Sequence, residues 1–185
     1  MPWTVKLAPM LLGVLLLASG CARLGWFHRQ DRSLGLSPPR VGKPAPEFDY
    51  EDFDGRRVKL SDQRGKVVAL IFWRTKCMPC RAMIPHEREM VERLRDKPFV
   101  LISVNTDEDH DDARKVIAAE RMTWTQLKTS GAADSINRRY GVEAVPAVYV
   151  IDQKGILRAC GTHLRGADLE RAVEVLLAGT ASRAP

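Results

Sequence analysis

Residues 67–81 read VVALIFWRTKCMPCR, and this stretch decides the architecture of the chain. Its first seven residues, Val67 to Trp73, form an unbroken apolar run rich in β-branched and aromatic side chains. Such a run is typical of a strand that is buried on both faces. Cys77 and Cys80 follow at the point where this strand gives way to a helical pattern. The stretch therefore predicts a buried strand that delivers two cysteines to the start of a helix.

The position of the two cysteines favours a reactive thiol. Peptide dipoles and free N–H groups at a helix N-terminus favour an anion, and Lys76, with Arg74 and Arg81 close by, adds positive charge. Both effects lower the pKa of a thiol from ~8.5 toward ~7 or below, and only the thiolate attacks a disulfide. We expect Cys77, nearer to the exposed helix start, to be the nucleophile. Cys80, one turn further in and more buried, would resolve the mixed disulfide.

The rest of the folded region alternates between strand and helix patterns. Strands or extended segments are predicted at residues 47–50, 57–60, 67–73, 99–104, 123–127, 147–151 and 156–160, and helices at 83–94, 109–121, 132–140 and a closing segment around 169–177. Asp54-Gly55 is a hairpin-type turn signal between the first two strands. This order predicts one α/β domain, with a central mixed β-sheet flanked by helices.

Composition excludes several classes of protein. The 185 residues are 45 % hydrophobic and 28 % charged, which is the composition of a globular domain. A single strongly apolar stretch excludes a polytopic membrane protein. The net charge of +6 is spread along the chain with few aromatic residues near it, so we predict no nucleic-acid partner.

The N-terminus predicts export. Residues 1–20 contain one cation, Lys6, and a short apolar core, which is too short for a membrane span of ~20 residues and matches a signal peptide. Ser19-Gly20-Cys21 resembles the end of a bacterial lipoprotein signal, in which Cys21 would carry the lipid anchor. The alternative is an ordinary signal peptide or an uncleaved anchor, with Cys21 incidental. Residues 21–40 are predicted to be a tether to a folded domain over residues 41–180.

The cysteine motif and its surroundings resemble the thioredoxin superfamily, and specifically the exported TlpA/ResA-like thiol-disulfide oxidoreductases. Pro85 stands where these proteins carry a helix-kinking proline, and residues 140–146 (YGVEAVP) resemble the segment that leads into their cis-proline. The resemblance implies a thioredoxin-like fold and a cis bond before Pro146, which would face Cys77. It also implies that Trp73 lies beside the dithiol. Pro79 would stiffen the loop without breaking the helix.

The chain also departs from the family pattern. Lys76 occupies a position that is usually aromatic or small, Met78 replaces the usual Gly or Glu, and Ala147 stands where Thr commonly follows the cis-proline. Ile71 aligns with the buried Asp of cytosolic thioredoxins and cannot carry a proton. Three other carboxylates remain open as groups that could assist Cys80: Asp107, Glu108 and Glu143.

The resemblance implies a thiol-disulfide oxidoreductase that works outside the cytoplasm, at the outer face of a bacterial membrane, without a bound cofactor or metal. Its partners would be proteins with a disulfide or a dithiol, and a membrane electron carrier that resets the pair. The Cys-x-Pro-Cys form favours a reductant, with cytochrome maturation among the processes it would serve.

Two other classes of function remain as alternatives. A non-catalytic binding module or metallochaperone would hold metal at Cys77 and Cys80, and Cys160 with His163 could complete a Cys₃His zinc set. A peroxiredoxin begins with a similar sequence. It needs Thr three residues before its reactive cysteine, however, and Arg74 occupies that position before Cys77.

Overall fold

The computed structural model describes residues 38–131 and 134–181. The predicted signal peptide, Cys21 and nearly all of the predicted tether lie outside the described residues. In chain order the elements are β1 (Asp49–Glu51), β2 (Arg57–Lys59), β3 (Val67–Trp73), α1 (Met78–Arg93), β4 (Phe99–Asn105), α2 (His110–Ala119), β5 (Thr125–Lys128), α3 (Ser135–Tyr140), β6 (Ala147–Ile151), β7 (Leu157–Cys160) and α4 (Ala167–Ala181).

β3 lies at the centre of a five-stranded sheet with the order β5-β4-β3-β6-β7. It pairs in parallel with β4, which pairs in parallel with β5, whereas β6 and β7 run antiparallel to their neighbours. All seven residues of β3 are buried, because the sheet is covered on both sides. The predicted strand over residues 67–73 is confirmed, and so is the α/β fold class with a mixed sheet and flanking helices.

The alternation of side chains along β3 creates two separate cores. Val67, Ala69, Ile71 and Trp73 point to a first face, where apolar side chains of α1, α2 and α4 pack against the sheet. The alternate residues of β3 point to a second face, which is covered by α3 and by the β1–β2 hairpin. Burial of this apolar area on both faces supplies the main driving force for folding.

The short elements differ slightly from their predicted bounds. α3 begins at Ser135 because the side chain of Asp134 caps it, accepting a hydrogen bond of 3.1 Å from the N–H of Ile136. β5 begins at Thr125 because its pairing with β4 starts there, opposite Ile102. Within the described ranges, no helix has both the length and the apolar character to cross a membrane.

Candidate active site

The two cysteines lie at the junction between β3 and α1. Cys77 is the N-cap of α1 and has an extended backbone conformation, so the helix proper begins at Met78. The N–H of Cys77 donates to the carbonyl oxygen of Arg74 at 3.2 Å, which closes a tight turn after the strand. This geometry places Cys77 at the helix start that the sequence predicts.

Cys77 and Cys80 form a disulfide and differ in their exposure. Cys77 is half-buried, whereas Cys80 is 3 % exposed and belongs to the core of the first face. The backbone N–H of Cys80 points at the Cys77 sulfur, with an N···Sγ distance of 3.2 Å. After reduction the same N–H would stabilise a Cys77 thiolate, together with the dipole of α1. The site therefore contains one accessible sulfur and one buried sulfur.

Several residues next to the two cysteines are exposed to solvent. Lys76, Met78 and Pro79 are all exposed, and Met78 has 74 % of its surface accessible. Pro79 lies in the first turn of α1, where no backbone hydrogen bond is lost. Met78 is one of the few large apolar side chains that the described residues leave exposed.

The Val145–Pro146 peptide bond is cis, as expected from the resemblance. Pro146 is buried directly before β6, and the carbonyl oxygen of Val145 lies 3.6 Å from the Sγ of Cys77. β6 pairs with β3, so the sheet itself brings this loop to the cysteine from 68 residues away in the chain. The loop and the Cys77 sulfur therefore lie next to each other.

Trp73 lies in the core of the first face together with Cys80, and only 3 % of its surface is exposed. Its Nε1 is buried without a hydrogen-bond partner among the described residues. Its carbonyl oxygen accepts from the N–H of Thr106 at 3.0 Å, which ties the end of β3 to the end of β4.

The three carboxylates that the sequence offers as groups to assist Cys80 have different surroundings. Asp107 is held by the active-site loop: its Oδ2 accepts hydrogen bonds of 2.9 Å from the N–H of Thr75 and from Nδ2 of Asn105. Glu143 is exposed in the segment before the cis-proline, and Glu108 lies against Gly131. Asp107 is therefore hydrogen-bonded to the loop that precedes Cys77.

Glu87 is the acidic residue whose importance the sequence did not reveal. It lies on α1 two turns after Cys80, and 3 % of its surface is exposed. Burial raises the pKa of its carboxyl group to about 8, so the acid is mostly neutral at pH 7. The signal was its place in the apolar stripe of α1 between Met83 and Met90, where a charged side chain is unusual.

The structure does not bring Cys160 and His163 to the dithiol. Cys160 lies on β7 and packs against the core of the second face, while Cys77 and Cys80 belong to the first. His163 is exposed in the connection to α4. Among residues 38–131 and 134–181, no group of three or more His, Cys, Asp or Glu side chains is arranged to hold a metal ion.

Comparison with known proteins agrees with this geometry. A family model described as the AhpC/TSA family matches residues 41–160. The thiol-disulfide oxidoreductase ResA of Bacillus thuringiensis subsp. konkukian is 27 % identical over 146 residues, which cover 79 % of this chain and 83 % of ResA. ResA of Geobacillus kaustophilus is 32 % identical over 135 residues, covering 72 % of this chain and 76 % of the relative.

A solved structure shows the same fold. The thioredoxin domain of a thiol-disulfide oxidoreductase from Bacteroides vulgatus superposes with a TM-score of 0.68 at 29 % identity, covering 74 % of this chain and 97 % of that domain. The resemblance predicted from the cysteine motif is therefore confirmed. The chain belongs to the AhpC/TSA family and is a thioredoxin-like thiol-disulfide oxidoreductase.

Proposed function

We propose that this oxidoreductase is exported, is anchored to a membrane through Cys21, and reduces disulfides of proteins on the extracytoplasmic side. The observation that carries the redox role is the pairing of a half-exposed sulfur with a buried one at the start of α1. Cys77 would be the attacking residue and Cys80 the resolving residue. Lys76 and Pro79 would support them, Lys76 through its charge and Pro79 by holding the first helical turn.

The proposed reaction transfers two electrons from the protein to its substrate. The Cys77 thiolate attacks one sulfur of the substrate disulfide, and the other substrate sulfur leaves as a thiolate and takes up a proton. The Cys80 sulfur, having lost its proton, then attacks the Cys77 sulfur of the mixed disulfide. The substrate leaves as a dithiol, and Cys77 and Cys80 are oxidised to the disulfide.

The loop before β6 supports a role for Pro146 in holding the substrate. Because the Val145 carbonyl lies 3.6 Å from the Cys77 sulfur, an extended substrate segment next to its cysteine would run alongside this loop. Backbone groups on both sides of Pro146 would then be available to pair with it. Since Pro146 has no N–H, its own contribution is the shape of the loop.

A reductant needs a source of electrons after each turnover. We propose a membrane-bound dithiol carrier, because the anchor predicted at Cys21 would keep the domain close to the membrane. The support for this anchor is the small-residue segment before Cys21 and the polar sequence after it. Cys21→Ser should release the protein from the membrane fraction; retention of this variant would contradict lipid anchoring.

The redox direction is tested by the reduction potential of the Cys77–Cys80 pair. The measurement uses a soluble form that begins near Ala22, with Cys160→Ala as a control for side reactions. A potential near the ~−270 mV of thioredoxin would support a reductant, whereas a value near ~−120 mV would make the protein an oxidant. The absence of a reversible dithiol couple would contradict the redox role itself. Consumption of hydroperoxide at a comparable rate would favour a peroxiredoxin.

A further inference from the structure

Arg74 is held at a fixed position beside the reactive cysteine. It is the first residue after β3, and its carbonyl oxygen accepts the N–H of Cys77. Its half-buried side chain donates from Nε to Oγ1 of Thr106 at 2.9 Å. Thr106 is itself buried and tied to the end of β3 through the carbonyl of Trp73. The guanidinium therefore has a defined place relative to the Cys77 sulfur.

The charge of Arg74 is not matched by a carboxylate. Within residues 38–131 and 134–181, its guanidinium forms no ion pair. The nearby Arg81, by contrast, contacts Glu120 at 2.7 Å. The bond to Thr106 uses Nε and leaves the two terminal nitrogens without an acceptor among these residues. Because an unpaired charge is costly to bury, a half-buried guanidinium of this kind is suited to an incoming anion.

A small cavity lies beside the Arg74 side chain. It has a volume of about 60 Å³, and its lining comes from the end of β3, the end of β4, α3 and the loop before the cis-proline: Arg74, Thr106, Asn137, Val142, Glu143, Ala144 and Val145. This volume is several times the ~10–15 Å³ that one water molecule needs. Val145 both lines this cavity and contacts the Cys77 sulfur. A substrate that reaches the dithiol can therefore also place a side chain in this cavity.

Building on the proposed function, we propose that Arg74 selects protein substrates with an Asp or Glu side chain close to the cysteine that Cys77 attacks. The planar guanidinium fork can donate two parallel hydrogen bonds to a carboxylate, which neither a hydroxyl nor an amide accepts equally well. Glu143 also lines the cavity, and its exposed carboxylate opposes the incoming acid without pairing with Arg74. Arg74 thus sets the preference for acidic substrates, and Glu143 limits it.

The test uses two disulfide-bonded peptides that are identical except for Glu or Gln beside the cysteine. The reduced full-length protein is mixed with each, and the rate constants of peptide reduction are compared. We expect wild-type protein to favour the Glu peptide by about fivefold, the effect of one partly exposed ion pair. Arg74→Met should bring the ratio close to one. Arg81→Met, the matched control, removes a nearby charge that already has a partner and should keep the ratio.

Two further variants keep the test decisive. Glu143→Gln should increase the preference for the Glu peptide, because it removes the opposing carboxylate. Arg74→Lys, which keeps the charge and is used if Arg74→Met does not fold, should lower the ratio to about twofold because the fork is lost. Equal rates for both peptides in wild-type protein, or an unchanged ratio in the Arg74 variants, would overturn this inference alone. If the wild-type protein reduces neither peptide, the proposed reductant function fails instead.

Discussion

Two buried tyrosines on the second face of the central sheet differ from Trp73 and Glu87, which are buried on the first face. On the second face, the hydroxyls of Tyr140 and Tyr149 are buried and donate to the carbonyl oxygens of Pro46 and Tyr140, each at 2.7 Å. On the first face, Nε1 of Trp73 is buried with no partner among the described residues, and the carboxyl group of Glu87 is buried in apolar surroundings. A buried polar group without a partner costs free energy. Trp73 thus carries a free-energy cost that these tyrosines avoid.

The largest expected effect is the loss of activity when a cysteine of the first face is replaced. Cys77→Ser should lower disulfide reduction by more than about 10³-fold, because a hydroxyl cannot replace the thiolate in disulfide exchange. Cys80→Ser should keep the first attack and accumulate a mixed disulfide with the substrate, visible by mass spectrometry. If Cys80→Ser left free enzyme and Cys77→Ser trapped the substrate, the assigned roles would be reversed.

The buried acid of the first face should make stability depend on pH. Its pKa is about 8 in the folded protein against an ordinary value of 4.5, so both states bind the proton at low pH and only the unfolded state releases it between these values. The free energy of unfolding should therefore fall as pH rises through this window, by an amount on the order of 4 kcal/mol. Glu87→Gln should remove this fall. The free energy of unfolding of the variant should therefore increase relative to that of wild type from pH 5 to pH 9.

Urea unfolding of both proteins at pH 5, 7 and 9 measures this difference directly. Other titrating groups contribute equally to wild type and variant, so the comparison isolates Glu87. Parallel pH profiles would show that the Glu87 carboxyl is ionised in the folded protein at neutral pH.

Removing a hydrogen-bonded hydroxyl from the second face should lower the free energy of unfolding, whereas Glu87→Gln should raise it at high pH. Tyr149→Phe removes a buried hydrogen bond and leaves the carbonyl oxygen of Tyr140 without this donor, so unfolding should become easier by about 1–2 kcal/mol. Burial raises the pKa of Tyr149, which keeps the hydroxyl protonated and the loss independent of pH between 5 and 9. The reduction potential should not change. A shifted potential would mean that the two faces are coupled through β3.

The smallest expected effect concerns the loop that holds Cys77. Asp107→Asn weakens the acceptor that binds the N–H of Thr75, and the rate of disulfide reduction should fall by about three- to tenfold without loss of the fold. Asp96→Asn, an exposed change beyond the far end of α1, is the matched control. Equal rates in both variants would show that Asp107 does not position the loop.

The sequence predicted features that depend on local pattern and missed those that depend on distant contacts. The strands over 67–73 and 147–151 were predicted with their observed bounds because their apolar runs are unbroken. The exposure of Cys77 and the burial of Cys80 followed from their places at the start of one helix. The cis bond before Pro146 came only from the family resemblance, since the local sequence does not dictate it.

Contacts between segments far apart in the chain could not be predicted in this way. The bond from Thr75 to Asp107 joins residues 32 positions apart, so it depends on the pairing of β3 with β4. The burial of Glu87 depends on how α1 packs against the sheet, which the local sequence does not determine. The lack of a counter-ion for Arg74 among the described residues likewise depends on which carboxylates the fold brings close.

The capping of α1 by a sulfur atom links helix stability to the redox state of the protein. The N–H of Cys80 points at the Cys77 sulfur, and a thiolate accepts such a bond more strongly than a disulfide sulfur does. Oxidation, reduction, folding and unfolding form a closed thermodynamic cycle. Any extra stability that this cap gives to the reduced fold must therefore appear as an equal increase in the dithiol's reduction potential, with 30 mV for each ~1.4 kcal/mol. Comparing the unfolding of the oxidised and reduced protein would thus report the difference in reduction potential between the folded and the unfolded dithiol.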